Sequence, residues 1–177
     1  MNNKQVDTLA LKRLKVKSED SQEVPFVDLY KDGKVTFIFI RHFGCIACRG
    51  HVSQVMEQLR AGARKGSVIF IGNGHPTLIK AFKQDMKVLD AQIFTDPSLE
   101  VFDACGLNRG LTYLLSTSTV RGFYKLKKQG FSQGKQQKEN GYHRQMGGVI
   151  VMSKTGQVLY HYASHYLGDI PNDDQSV

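Results

Sequence analysis

Three cysteines in 177 residues, unevenly spaced at Cys45, Cys48 and Cys105, are too few to staple a small secreted domain. Their scarcity fits a reducing compartment, and a cytoplasmic setting is the expectation. No apolar run approaches the about 20 residues that a membrane-spanning helix needs, so no membrane role is expected. The start, Met1-Asn2-Asn3-Lys4-Gln5-Val6-Asp7, lacks the basic-then-apolar pattern and small-residue cleavage site of a secretory signal. Internal repeats and low-complexity tracts are absent as well, which removes solenoids and arrays from consideration.

What is present reads as one globular domain over residues 1–177. Hydrophobic residues make up 41% and charged residues 23% of the chain, enough for an ordinary core. The formal net charge of +8 is concentrated rather than general. Residues 121–144 hold Arg121, Lys125, Lys127, Lys128, Lys135, Lys138 and Arg144 against the single acid Glu139. Phe123, Tyr124, Phe131 and Tyr142 interleave with these charges, as in a single-strand binder. Gly122, Gly130, Gly134 and Gly141 favour a different reading, a solvated basic loop inserted in the domain and leaning over its active site. Nucleic acid is therefore not the expected partner.

Hydrophobic patterning supplies the elements. Residues 9–17 alternate loosely, as an early strand would. Residues 24–30 read as a short strand, and Pro25 confines it to a sheet edge. Asp32-Gly33 signals a hairpin turn. Residues 35–40 have no polar alternation beyond Thr36, as expected of a strand covered on both faces. Val52, Val55, Met56 and Leu59 recur at helical spacing from Cys45 to about Ala61, with Gly62 as the stop. Residues 67–71 form a second buried strand and residues 76–86 a second helix. A short strand at 91–94 is followed by Thr95-Asp96-Pro97, which caps a helix ending near Cys105. Residues 148–152 and 157–162 flank Ser153-Lys154-Thr155-Gly156, a hairpin signal. The order is β, then βαβαβα, then a ββ hairpin. It predicts an α/β three-layer sandwich with a mixed sheet.

The chemistry concentrates in Arg41-His42-Phe43-Gly44-Cys45-Ile46-Ala47-Cys48-Arg49, between the buried strand and the first long helix. Helix N-termini expose unpaired N–H groups and the positive end of the dipole, and both favour thiolate over thiol. A spacing of three brings both sulfurs onto one face of the first turn. The expectation is thiol redox chemistry, with Cys45 as nucleophile and Cys48 as resolving partner. Arg41, His42 and Arg49 cluster nearby and can support the thiolate. A cationic side chain beside the dithiol can also stabilise charge that develops on a leaving group, and Arg41 and Arg144 are the candidates, Arg144 only if its segment folds back over the dithiol. His42 reads either as a proton donor or substrate-positioning group, or as a hydrogen-bonded strand-end histidine. His51 could join both cysteines and His42 around a metal, but one C-x-x-C without a second pair is a poor zinc signature, and no metal is expected. Cys105 reads as a small buried hydrophobe. Gly147 and Gly148 let backbone pass close to the dithiol, where a side chain would block substrate.

Element order with C-x-x-C after the first long buried strand resembles the thioredoxin fold. Within it, the chain is similar to the AhpC/TSA-type peroxiredoxin-like family, in the branch called peroxiredoxin-like 2. The likeness is carried by residues 35–49, by Thr95-Asp96-Pro97 with the following helix and Gly106-Leu107, and by Met146-Gly147-Gly148. His42 stands where typical peroxiredoxins place a threonine, three residues before the peroxidatic cysteine. No proline occupies the place near Met146-Gly147 where thioredoxins carry one in cis.

The resemblance implies a peroxidase that reduces hydroperoxides through Cys45, resolved by Cys48, needing no cofactor beyond an external thiol or dithiol donor of the thioredoxin or glutaredoxin kind. A disulfide is the alternative small-molecule substrate. A thiol–disulfide or other dithiol-dependent reductase, and a non-enzymatic redox sensor, use the same cysteines. Self-association into a homodimer is left open.

Overall fold

The computed structural model describes residues 5–110, 124, 127–128, 141–166, 169 and 171. Most of the basic segment 121–144, and with it the expected loop insertion, lies outside the described residues. In chain order the elements are α1 (Thr8–Leu11), β1 (Lys15–Lys17), β2 (Glu23–Pro25), a 3-10 turn (Phe26–Leu29), β3 (Val35–Phe39), α2 (Ile46–Arg60), β4 (Ser67–Gly72), α3 (Leu78–Met86), β5 (Gln92–Thr95), α4 (Glu100–Ala104), β6 (Gly148–Met152) and β7 (Val158–Ala163).

The strands form one seven-stranded mixed sheet in the order β2-β1-β5-β4-β3-β6-β7. β3, β4 and β5 are parallel neighbours, while β6 runs antiparallel to β3 and pairs with β7 as a hairpin. The Ser153-to-Gly156 turn closes that hairpin, with Gly156 at φ +83° donating its N–H to the Ser153 carbonyl. This is the α/β thioredoxin-like architecture that the element order predicts.

Helices cover both faces because β3 is apolar on both. Ile38 packs with Val52, Val55 and Met56 of α2 and with Ile79 and Phe82 of α3. Its neighbours Phe37 and Phe39 point the other way, toward Leu11 of α1 and Val101 and Phe102 of α4. Each such side chain, fully buried, stabilises the fold by about 1.5–3 kcal/mol. Asp96 caps α4 as expected: its Oδ2 accepts from the N–H groups of Val101 and Phe102.

Three local expectations need correction. Residues 9–17 are not one strand. Asp7 Oδ1 accepts from the N–H groups of Leu9 and Ala10 and nucleates α1, so only Lys15–Lys17 remains extended. The strand expected over 24–30 stops at Pro25, because Phe26 and Tyr30 turn inward to stack around Phe37. Pro25 does lie on an edge strand, β2. Asp32-Gly33 does not close a hairpin, since β2 pairs with β1 and β3 sits three places further into the sheet.

The parallel register aligns Phe39 with Ile71, so β3 and β4 end together. α2 starts at that edge, and the segment 141–147 returns across it before entering β6.

Candidate active site

Cys45 is the N-cap residue of α2, held by its own N–H, which donates to the His42 carbonyl at 3.1 Å. It is 2% exposed and Cys48 is 8% exposed, and both are free thiols. Cys45 is lowered to about 6. The hydrogen bond from the Cys48 thiol contributes most, and the Arg41 charge and the amides of Cys48 and Ala47 outweigh the opposing effect of burial. Cys48 moves the other way, well above its ordinary value, because it is the donor in that hydrogen bond, is buried, and faces the Cys45 charge. The pair therefore holds one proton at neutral pH, on Cys48.

Arg41 touches both sulfurs. Its backbone N–H donates to Cys48 Sγ at 3.2 Å, and its Nη1 donates to Cys45 Sγ at 3.6 Å. The rest of the guanidinium is fixed by backbone: Nε donates to the Gln145 carbonyl at 3.0 Å and Nη2 to the His143 carbonyl at 2.5 Å. Two carbonyl acceptors orient the charge without neutralising it, which leaves it directed at the thiolate.

His42 is buried, and its pKa is lowered to about 3, chiefly by burial, then by the charges of Arg41 and His143. The ring is neutral at physiological pH. His143 stands edge-on to it, ring centroids 4.5 Å apart, with His143 Nδ1 3.4 Å from His42 Nε2. His42 Nδ1 has no hydrogen-bond partner among the described residues. Asn73, just past β4, anchors the same segment by donating from Nδ2 to the Tyr142 carbonyl at 3.3 Å. Gly141, at φ +112°, passes so close to Asn73 that a side chain there would strike the amide.

Of the residues singled out in the sequence, Cys45, Cys48, Arg41 and His42 come together. Arg144 sits nearby, but its side chain is exposed, and the guanidinium that reaches Cys45 is Arg41's. The backbone of 143–145 does fold back over the dithiol, and what it offers there is carbonyl groups. Arg49 does not serve the thiolate: it pairs with Asp85 of α3 and lies 5.9 Å from the centre of the Phe82 ring. Gly147 crosses the end of β3 where a Cβ would collide with the Phe39 carbonyl oxygen. Cys105 is fully buried and its thiol is pushed up by that burial. Among the described residues no three potential metal ligands gather.

His143, Gln145 and Asn73 went unnoticed in the sequence. Gln145 is buried, with its side chain held by Arg109 Nε and by the carbonyls of Asn108 and Met146. Its use to Arg41 is through a main-chain oxygen, which leaves no side-chain signature. His143 carried a signal only as a histidine shortly before the Met146-Gly147-Gly148 block.

Known proteins share this fold. The Mycobacterium tuberculosis peroxidoxin BcpB superposes with a TM-score of 0.61 over 88% of this chain and 84% of its own, at 14% identity. The bacterioferritin comigratory protein of Xanthomonas campestris gives 0.60 over 90% and 85%, at 9% identity. These likenesses establish a peroxiredoxin-type thioredoxin fold. In sequence, the chain is 27% identical over 172 residues to the prostamide/prostaglandin F synthase of Aquarana catesbeiana, covering 95% of this chain and 85% of that one. It is 26% identical to the chloroplastic thioredoxin-like protein AAED1 of Arabidopsis thaliana, over 80% of this chain and 59% of the plant protein. With human peroxiredoxin-like 2C it shares 28% identity over 57% of this chain and 45% of that protein. This chain thus spans only about half the length of the plant and human relatives. Residues 52–165 match the family described as AhpC/TSA antioxidant enzyme, a stretch that begins just after the cysteine pair. With most of its length matched to that family model, and with its fold, the chain belongs to the AhpC/TSA family of thioredoxin-fold, peroxiredoxin-like proteins.

Proposed function

We propose that the protein is a thiol peroxidase in which Cys45 attacks hydroperoxides and Cys48 resolves the product. The observation that carries this reading is the Arg41 guanidinium 3.6 Å from a Cys45 sulfur that also receives the Cys48 proton donor. The Cys45 thiolate attacks the hydroxyl oxygen of the peroxide. The S–O bond forms as the O–O bond breaks, and Arg41 stabilises the departing alkoxide until it takes a proton from solvent. Cys45 is then a sulfenic acid. Cys48 loses its proton and attacks the Cys45 sulfur. Hydroxide leaves with that proton as water, and a Cys45–Cys48 disulfide remains. An external dithiol of the thioredoxin or glutaredoxin kind, in a reducing cytoplasm, returns two electrons.

A second reading keeps the dithiol and changes the oxidised substrate. His42 replaces the threonine of typical peroxiredoxins with a buried, neutral ring, and the amphibian relative that spans 95% of this chain is named a prostamide/prostaglandin F synthase. Both features favour a reductase whose substrate is not hydrogen peroxide.

The deciding experiment mixes reduced protein with one equivalent of hydrogen peroxide and follows thiol loss by stopped flow and intact mass. Peroxidase chemistry predicts loss orders of magnitude faster than for a free thiol, a mass lower by two hydrogens, and neither effect in Cys45→Ser. Thiol loss at an ordinary rate would eliminate hydrogen peroxide as substrate and leave the reductase.

A further inference from the structure

Gln145 is fully buried, and its side-chain amide is bonded on every side to main chain or to Arg109. Oε1 accepts from Arg109 Nε at 2.9 Å, while Nε2 donates to the Asn108 carbonyl at 3.1 Å and to the Met146 carbonyl at 3.0 Å. The peptide unit between Gln145 and Met146 is held on both edges. Its N–H, from Met146, donates to the same Asn108 carbonyl at 3.0 Å, and its carbonyl, from Gln145, accepts from Arg41 Nε at 3.0 Å. A peptide unit is planar, so fixing the N–H also fixes where the carbonyl points. Asn108 is itself tied down, since its Nδ2 donates to the Ser164 carbonyl just past β7. Arg109 forms an isolated antiparallel bridge with Gln145, pairs with Asp103 of α4 at 2.8 Å and lies 5.8 Å from the centre of the Tyr142 ring.

We propose that Gln145 and Arg109 are positioning residues for Arg41: the Gln145 amide, anchored by Arg109, fixes the 145–146 peptide plane so that its carbonyl aims the Arg41 guanidinium at Cys45. The inference rests on Arg41 serving the Cys45 thiolate, as proposed above. With the amide removed, one hydrogen bond from the Met146 N–H is left to resist a tilt of the plane. A tilt carries the carbonyl off the line of Arg41 Nε, and hydrogen bonds weaken steeply with misalignment. The guanidinium is rigid, so the rotation that follows is passed to Nη1, whose contact with Cys45 Sγ is already 3.6 Å long.

The test reads the Cys45 titration by thiolate ultraviolet absorbance in the reduced protein, which needs no oxidant. Gln145→Met keeps the side-chain length and every formal charge and deletes all three side-chain hydrogen bonds. Its Cys45 midpoint should rise by at least about half a pH unit, a fraction of the about 1–3 units that a charge in contact supplies. Arg109→Lys keeps the charge and loses the planar fork that holds Gln145 and Asp103 together, so its midpoint should rise in the same direction by less. Both substitutions are then combined with Arg41→Gln. A residue that acts through Arg41 has nothing left to act on there, so each double variant should titrate within about 0.2 pH unit of Arg41→Gln alone. An equal rise with and without Arg41 would reveal a general loosening of the helix start and overturn the proposal, and so would a native midpoint in either single variant. If thermal transitions show that the buried substitution Gln145→Met prevents folding, Arg109→Lys decides by the same comparison. An Arg41→Gln protein that titrates like the native one would sink the pairing of Arg41 with the thiolate itself, a result visible before any double variant is made.

Discussion

The Arg41 guanidinium stands 3.6 Å from Cys45 Sγ, and its other nitrogens are committed to the carbonyls of His143 and Gln145. Among the described residues no carboxylate shares its charge. Arg41→Gln removes an opposite charge within contact range, and such a charge is worth about 1–3 pH units to a thiolate. The Cys45 titration, followed by thiolate ultraviolet absorbance, should move up by at least about one unit. Peroxide consumption, compared at a pH where both proteins are fully thiolate, should still fall about 100-fold, because a donor to the leaving oxygen is lost. If the two rates coincide at that pH, Arg41 only tunes acidity and has no part in breaking the O–O bond.

The hydrogen bond from Cys48 contributes most to the acidity of Cys45. Cys48→Ala deletes the donor, and Cys48→Ser retains one. The midpoint near 6 should rise in both, and more in the alanine variant. Both variants should end peroxide treatment with the mass of one added oxygen instead of losing two hydrogens, since no resolving thiol remains. An alanine variant titrating like the native protein would show that helix and arginine suffice.

The sheet and the dithiol were legible in sequence because each depends on local signals. Residues 35–40 are apolar throughout, and Cys45 and Cys48 follow directly, so a strand, a turn and a helix start could be placed from neighbours alone. Three things were not legible. Asp7 capping a short helix competes with a weak alternation at 9–17, and one side-chain acceptor decided it. The inward turn of Phe26 and Tyr30 after Pro25 depends on packing against Phe37 of the next strand, β3, which hydrophobic alternation along 24–30 does not report. The clamp on Arg41 comes from main-chain oxygens about 100 residues away, as the separations of 102 and 104 show, and no side-chain pattern announces a carbonyl. Arg144 looked suitable by charge, yet its neighbours His143 and Gln145 carry the contacts.

Gly147 gives a test of the close crossing. A Cβ there would collide with the Phe39 carbonyl oxygen, a backbone atom inside a paired strand that has little room to yield. Gly147→Ala should cost about 1–3 kcal/mol, read as a lower thermal midpoint and a lower urea midpoint. Gly33→Ala, where a Cβ meets nothing within 4 Å, should stay within about 0.5 kcal/mol of the native protein. Equal effects at the two positions would mean that the crossing segment gives way without resistance.

His42 makes the fold sensitive to acid. Its ring stays neutral down to about 3 because it is buried beside Arg41 and His143, while the same ring in the unfolded chain takes a proton near its ordinary 6.5. Between these values the unfolded state binds the extra proton, so stability rises with pH across the window and is lost as pH falls from 6.5 toward 3. For this group alone the slope approaches about 1.4 kcal/mol per pH unit in the middle of the window. Urea titrations at a series of pH values should show that decline in the native protein and a flatter one in His42→Asn, whose amide does not titrate. His143→Ala removes one of the three influences that keep the ring neutral, so it should raise the His42 pKa and bring the onset of acid loss no higher than in the native protein. Parallel declines in the native protein and His42→Asn would place the acid sensitivity in other groups and remove His42 from this account.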